Sequence, residues 1–210
     1  MLGKQTQLAV ALAALAIWSC SDAGAVGPVT VKPVIDSGAN DGGYPGGPYG
    51  VERGQVLTNA SFIGRRNGLE SPRETFDFEA LRAMRASGAK LLVFNVAAFW
   101  CSPCKSEAVE FQETVVPKYA PRGVLFLSAV VQDSSRRPTT DTQIDAWIST
   151  FHTTFAIARD PGGFVNTLFN PDSMPLNMIV DLETMKIEEK IIGADIPRVT
   201  STLDRLLGAK

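Results

Sequence analysis

The pattern of apolar and polar positions in this chain predicts buried strands that alternate with amphipathic helices. Two nearly unbroken apolar runs, residues 89–97 and 124–131, have the length and composition of fully buried strands. Between them, residues 105–119 have helical spacing, and Pro117 is predicted to end or kink that helix. This order of strand, helix and strand predicts a right-handed crossover between parallel strands.

Weaker patterns flank this unit. On the amino-terminal side, residues 56–63 give a weak strand signal, and a short helix containing Phe78 and Leu81 ends at Gly88. The start of that helix is either a capping box over residues 71–74 or a single cap at Asp77.

On the carboxyl-terminal side, an apolar stripe at helical spacing predicts a core-facing helix; its members are Ile144, Trp147, Ile148 and Phe151. Residues 155–158 indicate a short strand, and residues 176–192 a terminal hairpin. A last helix opens at Pro197.

The candidate chemistry lies where the first apolar run meets its helix, at Trp100-Cys101-Ser102-Pro103-Cys104. A thiol in the first turn of a helix faces unpaired N–H groups and the positive end of the helix dipole. Both favour the thiolate, the nucleophile in disulfide exchange. We therefore expect Cys101 to be the exposed attacking cysteine and Cys104 the more buried resolving one.

Other uses of the cysteine pair fit less well. A closed zinc site needs about four Cys or His ligands, whereas the chain has three cysteines and one histidine. Haem attachment requires His after the second cysteine, and here the residue is Lys105. A purely structural disulfide remains an alternative, although such a short loop constrains the unfolded chain little.

The residues around the pair resemble the thioredoxin superfamily, and among it the TlpA/ResA-like extracytoplasmic thiol-disulfide oxidoreductases. The matching positions are Asn95, Ala98, Trp100, Cys101, Cys104 and Glu107, whereas Val96 and Ala97 replace an aromatic pair. The resemblance covers residues 55–210. It implies an α/β, thioredoxin-like domain with a central mixed β-sheet flanked by helices on both faces, acting as a thiol-disulfide oxidoreductase.

The resemblance also assigns roles to neighbouring residues. Glu107 would lie beside the cysteines and tune their protonation, unless it is simply a solvated helix residue. Pro175 occupies the place of the family's cis-proline, and the backbone of Met174 before it would pair with a bound substrate. Trp100 would shield the pair and contact substrate, or else pack in the core. Asn95 stands where thioredoxin itself has a buried Asp.

The amino-terminal part of the chain reads as a targeting segment. Residues 1–19 contain an apolar core too short for a membrane span, which needs about 20 residues, and thus resemble a lipoprotein-type signal peptide. Cleavage would leave Cys20 as the lipid-bearing first residue; an ordinary secretory signal with an incidental Cys is the alternative. Residues 20–54 are rich in Gly and Pro and are expected to form a flexible tether.

Composition and net charge limit the kinds of partner that the chain is expected to bind. A net charge of −2 over 210 residues, without a basic stripe, argues against nucleic-acid binding. We expect a monomer without a cofactor, anchored by lipid on the periplasmic side of a bacterial membrane. Its partners would be protein thiol or disulfide clients and a redox partner protein. Two alternatives on the same fold remain: a Sco-like copper module using Cys101, Cys104 and His152, or a thiol peroxidase.

Overall fold

The structure is a computed structural model that describes residues 43–208. These residues form one seven-stranded sheet and five α-helices. The strands are β1 (Ser61–Arg65), β2 (Glu74–Asp77), β3 (Leu91–Ala98), β4 (Val124–Gln132), β5 (Ala156–Arg159), β6 (Leu176–Asp181) and β7 (Ile187–Ile192). The helices are α1 (Phe78–Ala83), α2 (Ser102–Glu110), α3 (Val116–Tyr119), α4 (Asp141–Phe151) and α5 (Ile196–Leu206).

The sheet is mixed, with the strand order β2-β1-β5-β4-β3-β6-β7. β3, β4 and β5 are parallel to one another, whereas β6 runs antiparallel to β3 and the outer pairs are antiparallel as well. The predicted α/β class, with a mixed sheet and flanking helices, is confirmed. Because β3 lies between β4 and β6, the segment that follows it leaves the sheet near its centre.

The two faces of β3 have different characters, because consecutive side chains of a strand point to opposite faces. Phe94 faces an aromatic cluster, with its ring centroid 5.6 Å from that of Phe62 and 5.1 Å from that of Phe78. Asn95 is also buried, but it lies on the face that α2 covers and bonds to a side chain of that helix. The strand therefore places one polar group inside an otherwise apolar layer.

The helix after the cysteine motif begins earlier than predicted and is irregular just before Pro117. It begins at Ser102, with Pro103 in its first turn, where the absence of an N–H group costs no hydrogen bond. Pro117 does not end it: a π-helical turn at Phe111–Val115 precedes α3, and a 3-10 turn follows at Ala120–Arg122. Helical structure thus continues past the proline, and the irregular turn lies directly before it.

Two features near the amino-terminal end of the sheet depart from the sequence pattern. The cap of α1 is Asp77, whose carboxylate accepts the N–H of Ala80 at 2.8 Å, so the capping box over residues 71–74 is wrong. Part of that segment instead belongs to β2, a short strand that pairs with β1. The other predicted elements are present: α4, β5, the β6–β7 hairpin and α5.

Part of the predicted tether is bound to the domain. The hydroxyl of Tyr44 donates to the carbonyl oxygen of Leu57 at 2.7 Å, and Val56 N–H donates to the carbonyl of Pro48 at 3.0 Å. Arg82 also donates to the carbonyl of Gly43 at 3.2 Å. Residues 43–54 are therefore packed against the fold, in contrast to the flexible segment expected through residue 54.

Several predictions fall on the amino-terminal part of the chain. The signal peptide at residues 1–19, the lipid site at Cys20 and most of the tether lie outside the described residues. Within residues 43–208, no helix has both the length and the apolar character needed to cross a membrane.

Candidate active site

The cysteine pair forms a disulfide at the start of α2. Cys101 and Cys104 are bonded, with their Cα atoms 5.3 Å apart. Cys101 is the N-cap residue, and its Sγ accepts the backbone N–H of Cys104 at 3.1 Å. The same N–H group would face a negative charge on this sulfur, at the end of the helix where the dipole is positive. The local geometry therefore suits a thiolate at Cys101.

The expected difference in exposure between the two cysteines is wrong. Cys101 and Cys104 are each only 2% exposed. The Cys101 backbone is held at the start of α2, because its N–H donates to the carbonyl of Ala98 and its carbonyl accepts the N–H of Lys105. In the disulfide each sulfur also covers the other. A partner must therefore reach Cys101 after a local rearrangement of the groups around it.

Trp100 connects the cysteine motif to the loop that follows β4. Its indole N–H donates to Gln132 Oε1 at 2.8 Å, and the guanidinium of Arg136 lies 4.1 Å from the centroid of a Trp100 ring. Arg136 also contacts the Asp172 carboxylate at 2.6 Å. Trp100 thus lies at the surface of the site, half-buried, beneath an exposed cation.

The segment before β6 approaches the same edge of the sheet. Val96 of β3 pairs with Leu176 of β6, so Met174 and Pro175 lie beside the end of β3, where the cysteine motif begins. The Met174–Pro175 peptide bond is cis, and the Pro175 carbonyl accepts the N–H of Gly193 at 2.7 Å. The structure therefore brings the predicted substrate-contacting segment to the same end of β3 as the cysteines.

Glu107 is buried within a hydrogen-bond network under α2. It is 2% exposed and lies one helical turn after Cys104 on the same buried side. Its Oε2 accepts from the Asn95 amide at 2.9 Å and its Oε1 from the Asn177 amide at 2.8 Å. Asn95 also donates to Asn177 Oδ1 at 2.9 Å, and Ser128 Oγ donates to Asn95 Oδ1 at 2.8 Å. The solvated alternative for Glu107 is wrong.

The surroundings of Glu107 set its protonation close to neutral pH. Burial, which disfavours the charged form, raises the pKa of the Glu107 carboxyl to about 7. The amide donors of Asn177 and Asn95 favour the carboxylate and oppose that rise, whereas the charge of Glu110 adds slightly to it. A carboxyl with a pKa in this range can both accept and release a proton under ordinary conditions.

Two members of the network were missed in the sequence. Asn177 and Ser128 lie within otherwise apolar strand segments, just as Asn95 does, and a buried polar residue in such a run needs a partner. That signal identifies them as unusual residues. It does not show that they meet, because their contacts depend on the pairing register of three strands.

The structure does not bring together the copper ligands of the Sco-like alternative. His152 is exposed at the carboxyl-terminal end of α4, just before β5. The start of β5 pairs with Leu127, near the beginning of β4, whereas Cys101 follows the carboxyl end of β3. His152 thus lies toward the amino-terminal ends of the parallel strands, whereas the cysteines lie at their carboxyl-terminal ends. Among residues 43–208, no group of three His, Cys, Asp or Glu side chains is placed to hold a metal ion.

Comparison with known proteins gives one curated relative and many structural neighbours. No protein-family model matches the chain. A thiol-disulfide oxidoreductase ResA from Oceanobacillus iheyensis is 31% identical over 119 residues, which cover 57% of this chain and 55% of that protein. The chain thus spans little more than half the length of that relative.

Solved structures identify the fold. A Chlorobium tepidum protein assigned as a thiol:disulfide interchange protein DsbE has a TM-score of 0.56 and 15% identity, over 76% of this chain and all of that one. A 2-Cys peroxiredoxin from Plasmodium vivax has a TM-score of 0.57 and 11% identity, over 73% and 81% of the two chains. The chain therefore has a thioredoxin-like fold, with a homologue among the ResA-type thiol-disulfide oxidoreductases.

Proposed function

We propose that the chain is a thiol-disulfide oxidoreductase that exchanges disulfides with extracytoplasmic protein thiols through Cys101 and Cys104. The observation that carries this proposal is the disulfide at the start of α2, one helical turn before a buried carboxyl with a pKa of about 7. The relationship to ResA supports it, and the fold shared with DsbE is consistent with it. Trp100, Met174 and Pro175 would contact the client. Met174 and Pro175 are buried in this structure, so a client would reach them after the same rearrangement that uncovers Cys101.

The proposed reaction consists of two exchange steps. The Cys101 thiolate attacks one sulfur of a client disulfide, and the other client sulfur leaves as a thiolate that takes up a proton. Cys104 then attacks Cys101 Sγ in the mixed disulfide, loses its proton, and releases the second client thiol. The client gains two electrons and two protons, while Cys101 and Cys104 become a disulfide. The same steps in reverse oxidise a client dithiol.

The trapping of clients tests this function. In Cys104→Ser, the mixed disulfide at Cys101 cannot be resolved, so client adducts should accumulate and appear on non-reducing gels. Cys101→Ser is the matched control, because it removes the attacking sulfur and should trap none. The proposal fails if abundant, folded Cys104→Ser protein forms no adducts above the level of the Cys101→Ser control.

The anchor is a separate part of the proposal. The apolar core of residues 1–19 followed by Cys20 supports lipidation on the periplasmic side of a bacterial membrane. A Cys20→Ala variant should lose the lipid and move from the membrane fraction to the soluble fraction, while keeping its disulfide exchange activity. A variant that remains fully in the membrane fraction contradicts the anchor without affecting the proposed chemistry.

A thiol peroxidase is the second candidate, because the near-complete burial of both cysteines admits a small oxidant more readily than a protein. A Cys101 thiolate would attack a peroxide to give a sulfenic acid and an alcohol or water, and Cys104 would then form the disulfide and release water. Against it, Ala98 and Phe94 stand where the peroxidatic motif has Thr and Pro. Peroxide consumption by reduced protein well above the rate of free cysteine would favour this candidate.

A further inference from the structure

Three polar side chains form a row across the centre of the sheet. Asn95 on β3 is the register partner of both Ser128 on β4 and Asn177 on β6. All three are buried, and Asn177 is fully inaccessible. Polar groups at such positions cost stability unless they are hydrogen-bonded. Each has a partner here, and the row ends at Glu107 on the overlying helix α2.

The direction of these hydrogen bonds is fixed by the groups themselves. The Ser128 hydroxyl occupies Asn95 Oδ1, and the Asn95 amide occupies Asn177 Oδ1. If either amide turned alone, its oxygen would face another oxygen. If both turned together, two amide oxygens would face Glu107, which carries at most one proton. Both amide nitrogens must therefore point at Glu107, one at each carboxylate oxygen.

This arrangement is matched to an ionised Glu107. A carboxylate only accepts hydrogen bonds, and the two amides only donate at the atoms that face it. A protonated Glu107 would carry a hydroxyl for which neither amide nitrogen is an acceptor. Bonds from donors to a charged acceptor are also stronger than those to a neutral one. The row therefore stabilises the carboxylate against the effect of burial.

We propose that Asn177, together with Asn95, is a positioning residue that holds Glu107 as a proton acceptor on the buried side of the cysteine pair. This inference rests on the proposed oxidoreductase function and assigns a task to a residue on a strand distant in sequence from the motif. Ser128 acts one step further away, because it orients Asn95.

The proposed role concerns the proton of the resolving step. When Cys104 attacks Cys101 Sγ in the mixed disulfide, its S–H bond breaks and the proton passes to Glu107, while the electron pair of the broken S–S bond leaves on the client sulfur. In the reverse reaction protonated Glu107 returns that proton to Cys104. Glu107 exchanges the proton with solvent between turnovers.

The other groups around Glu107 leave this task to the two amides. β3 and β6 present Asn95 and Asn177 to it, and Ser128 of β4 contacts it only through Asn95. The charge that acts on it from its own helix is that of Glu110. The reduced thiols of Cys101 and Cys104 are the titratable groups at the end of the same helix. The amides are thus the groups that oppose the burial of the Glu107 charge.

The test measures the pH dependence of the resolving step. Reduced protein is mixed with 5,5′-dithiobis(2-nitrobenzoate). The reagent releases one chromophore when Cys101 attacks its disulfide and a second when Cys104 attacks Cys101 Sγ of the resulting mixed disulfide. Asn177→Leu removes one donor at similar volume and should shift the midpoint of the second phase upward by about one pH unit. Ser128→Ala, which removes one hydroxyl, should produce a smaller shift in the same direction.

Measuring the same substitutions in Glu107→Gln distinguishes an effect on the Glu107 carboxyl from an effect on packing. In that background Asn177→Leu should leave the pH profile of the second phase unchanged, because no carboxyl remains to be tuned. An unshifted midpoint in both Asn177→Leu and Ser128→Ala overturns the inference, as does an equal shift with and without Glu107. If Asn177→Leu does not fold, the inference is decided by the pH profiles of Ser128→Ala measured with Glu107 and with Glu107→Gln.

A direct titration distinguishes failure of this inference from failure of the proposed function. The carboxyl carbon of Glu107, followed by NMR in ¹³C-labelled protein and assigned by its loss in Glu107→Gln, should titrate about one pH unit higher in Asn177→Leu. This readout requires no client and no activity. Absence of client adducts in Cys104→Ser defeats the function; an unshifted carboxyl midpoint defeats only the role of Asn177.

Discussion

Glu107 is the residue at which burial and hydrogen bonding compete most directly. Its carboxyl loses hydration inside the fold, and two amide donors replace only part of that loss. A raised pKa in the folded state means that the folded protein holds a proton that the unfolded chain has already released. The same residue therefore links the chemistry of the site to the stability of the whole domain.

The sign of that link gives a prediction for stability. The unfolded carboxyl titrates near 4.3 and the folded one at about 7, so the stabilising effect of the protonated form is complete at low pH and is lost as the pH rises through 7. We expect this one residue to lower the free energy of unfolding by up to about 3 kcal/mol between about pH 4 and pH 8. Urea denaturation of the oxidised protein across that range measures it.

Substitution isolates the contribution of this side chain. Glu107→Gln should remove that part of the pH dependence, because its side chain does not titrate. Glu113→Gln, a change of equal charge at an exposed position further along the same helical segment, should leave the dependence intact. Parallel curves for wild type and Glu107→Gln would show that the buried carboxyl is not the source.

At the scale of elements, the loop after β4 and the segment before β6 are joined across the site. Asp133 is buried and organises the loop: its carboxylate accepts the N–H groups of Ser135 and Arg137, and these bonds hold the pKa of Asp133 below its usual range. This loop presents Arg136, which stacks on Trp100 and pairs with Asp172. The tie spans the edge of the sheet at which Cys101 lies.

Release of this tie should make the buried disulfide more accessible. In Arg136→Ala both the contact to Trp100 and the pair with Asp172 are lost, so we expect dithiothreitol to reduce the disulfide faster by a factor on the order of three. Asp172→Asn removes only the ion pair and should have a smaller effect. High salt should accelerate wild type and leave Arg136→Ala unchanged, because screening acts on the exposed pair.

The matched control for this prediction is Arg198→Ala. Arg198, whose side chain is about as exposed as that of Arg136, forms an ion pair with the more buried Glu189, away from the cysteine motif. Its loss changes the net charge equally and should not change the rate of reduction. An Arg136→Ala rate equal to those of wild type and the control means that the tie does not limit access to Cys101.

Sequence patterns predicted the elements whose own residues record their burial and missed those that depend on a partner. β3 and β4 were predicted because they are apolar over almost their whole length, and α4 because its apolar residues form a stripe at helical spacing. β2 has only one buried residue, Phe76, and becomes a strand through its pairing with β1. The π-helical turn before Pro117 likewise reflects local hydrogen bonding that no periodicity records.

The whole site shows the same division between local and distant information. Cys101, Cys104 and Glu107 were identified because they lie within seven residues on one turn and helix. Asn177 lies 70 residues from Glu107 and 82 from Asn95, and only the antiparallel register of β6 with β3 brings it to the network. Spacing alone cannot provide that register.

The size of the folded unit leads to a prediction about the amino-terminal boundary. Residues 43–54 were expected to be tether, yet the structure ties them to the domain by the Tyr44–Leu57, Val56–Pro48 and Arg82–Gly43 hydrogen bonds. A chain that begins at residue 55 should therefore be less stable than one that begins at residue 43, by about 2 kcal/mol. Urea denaturation of the two chains at one pH measures the difference.

A point variant locates that stabilisation within the segment. Tyr44→Phe keeps the ring and removes the hydroxyl that reaches the carbonyl of Leu57, a residue with no exposed surface. We expect it to lower the free energy of unfolding by about 1 kcal/mol in the chain that begins at residue 43, because a buried carbonyl then loses its donor. If Tyr44→Phe and the removal of residues 43–54 both leave stability unchanged, these residues serve only as a tether. The domain then begins at residue 55, as its composition predicted.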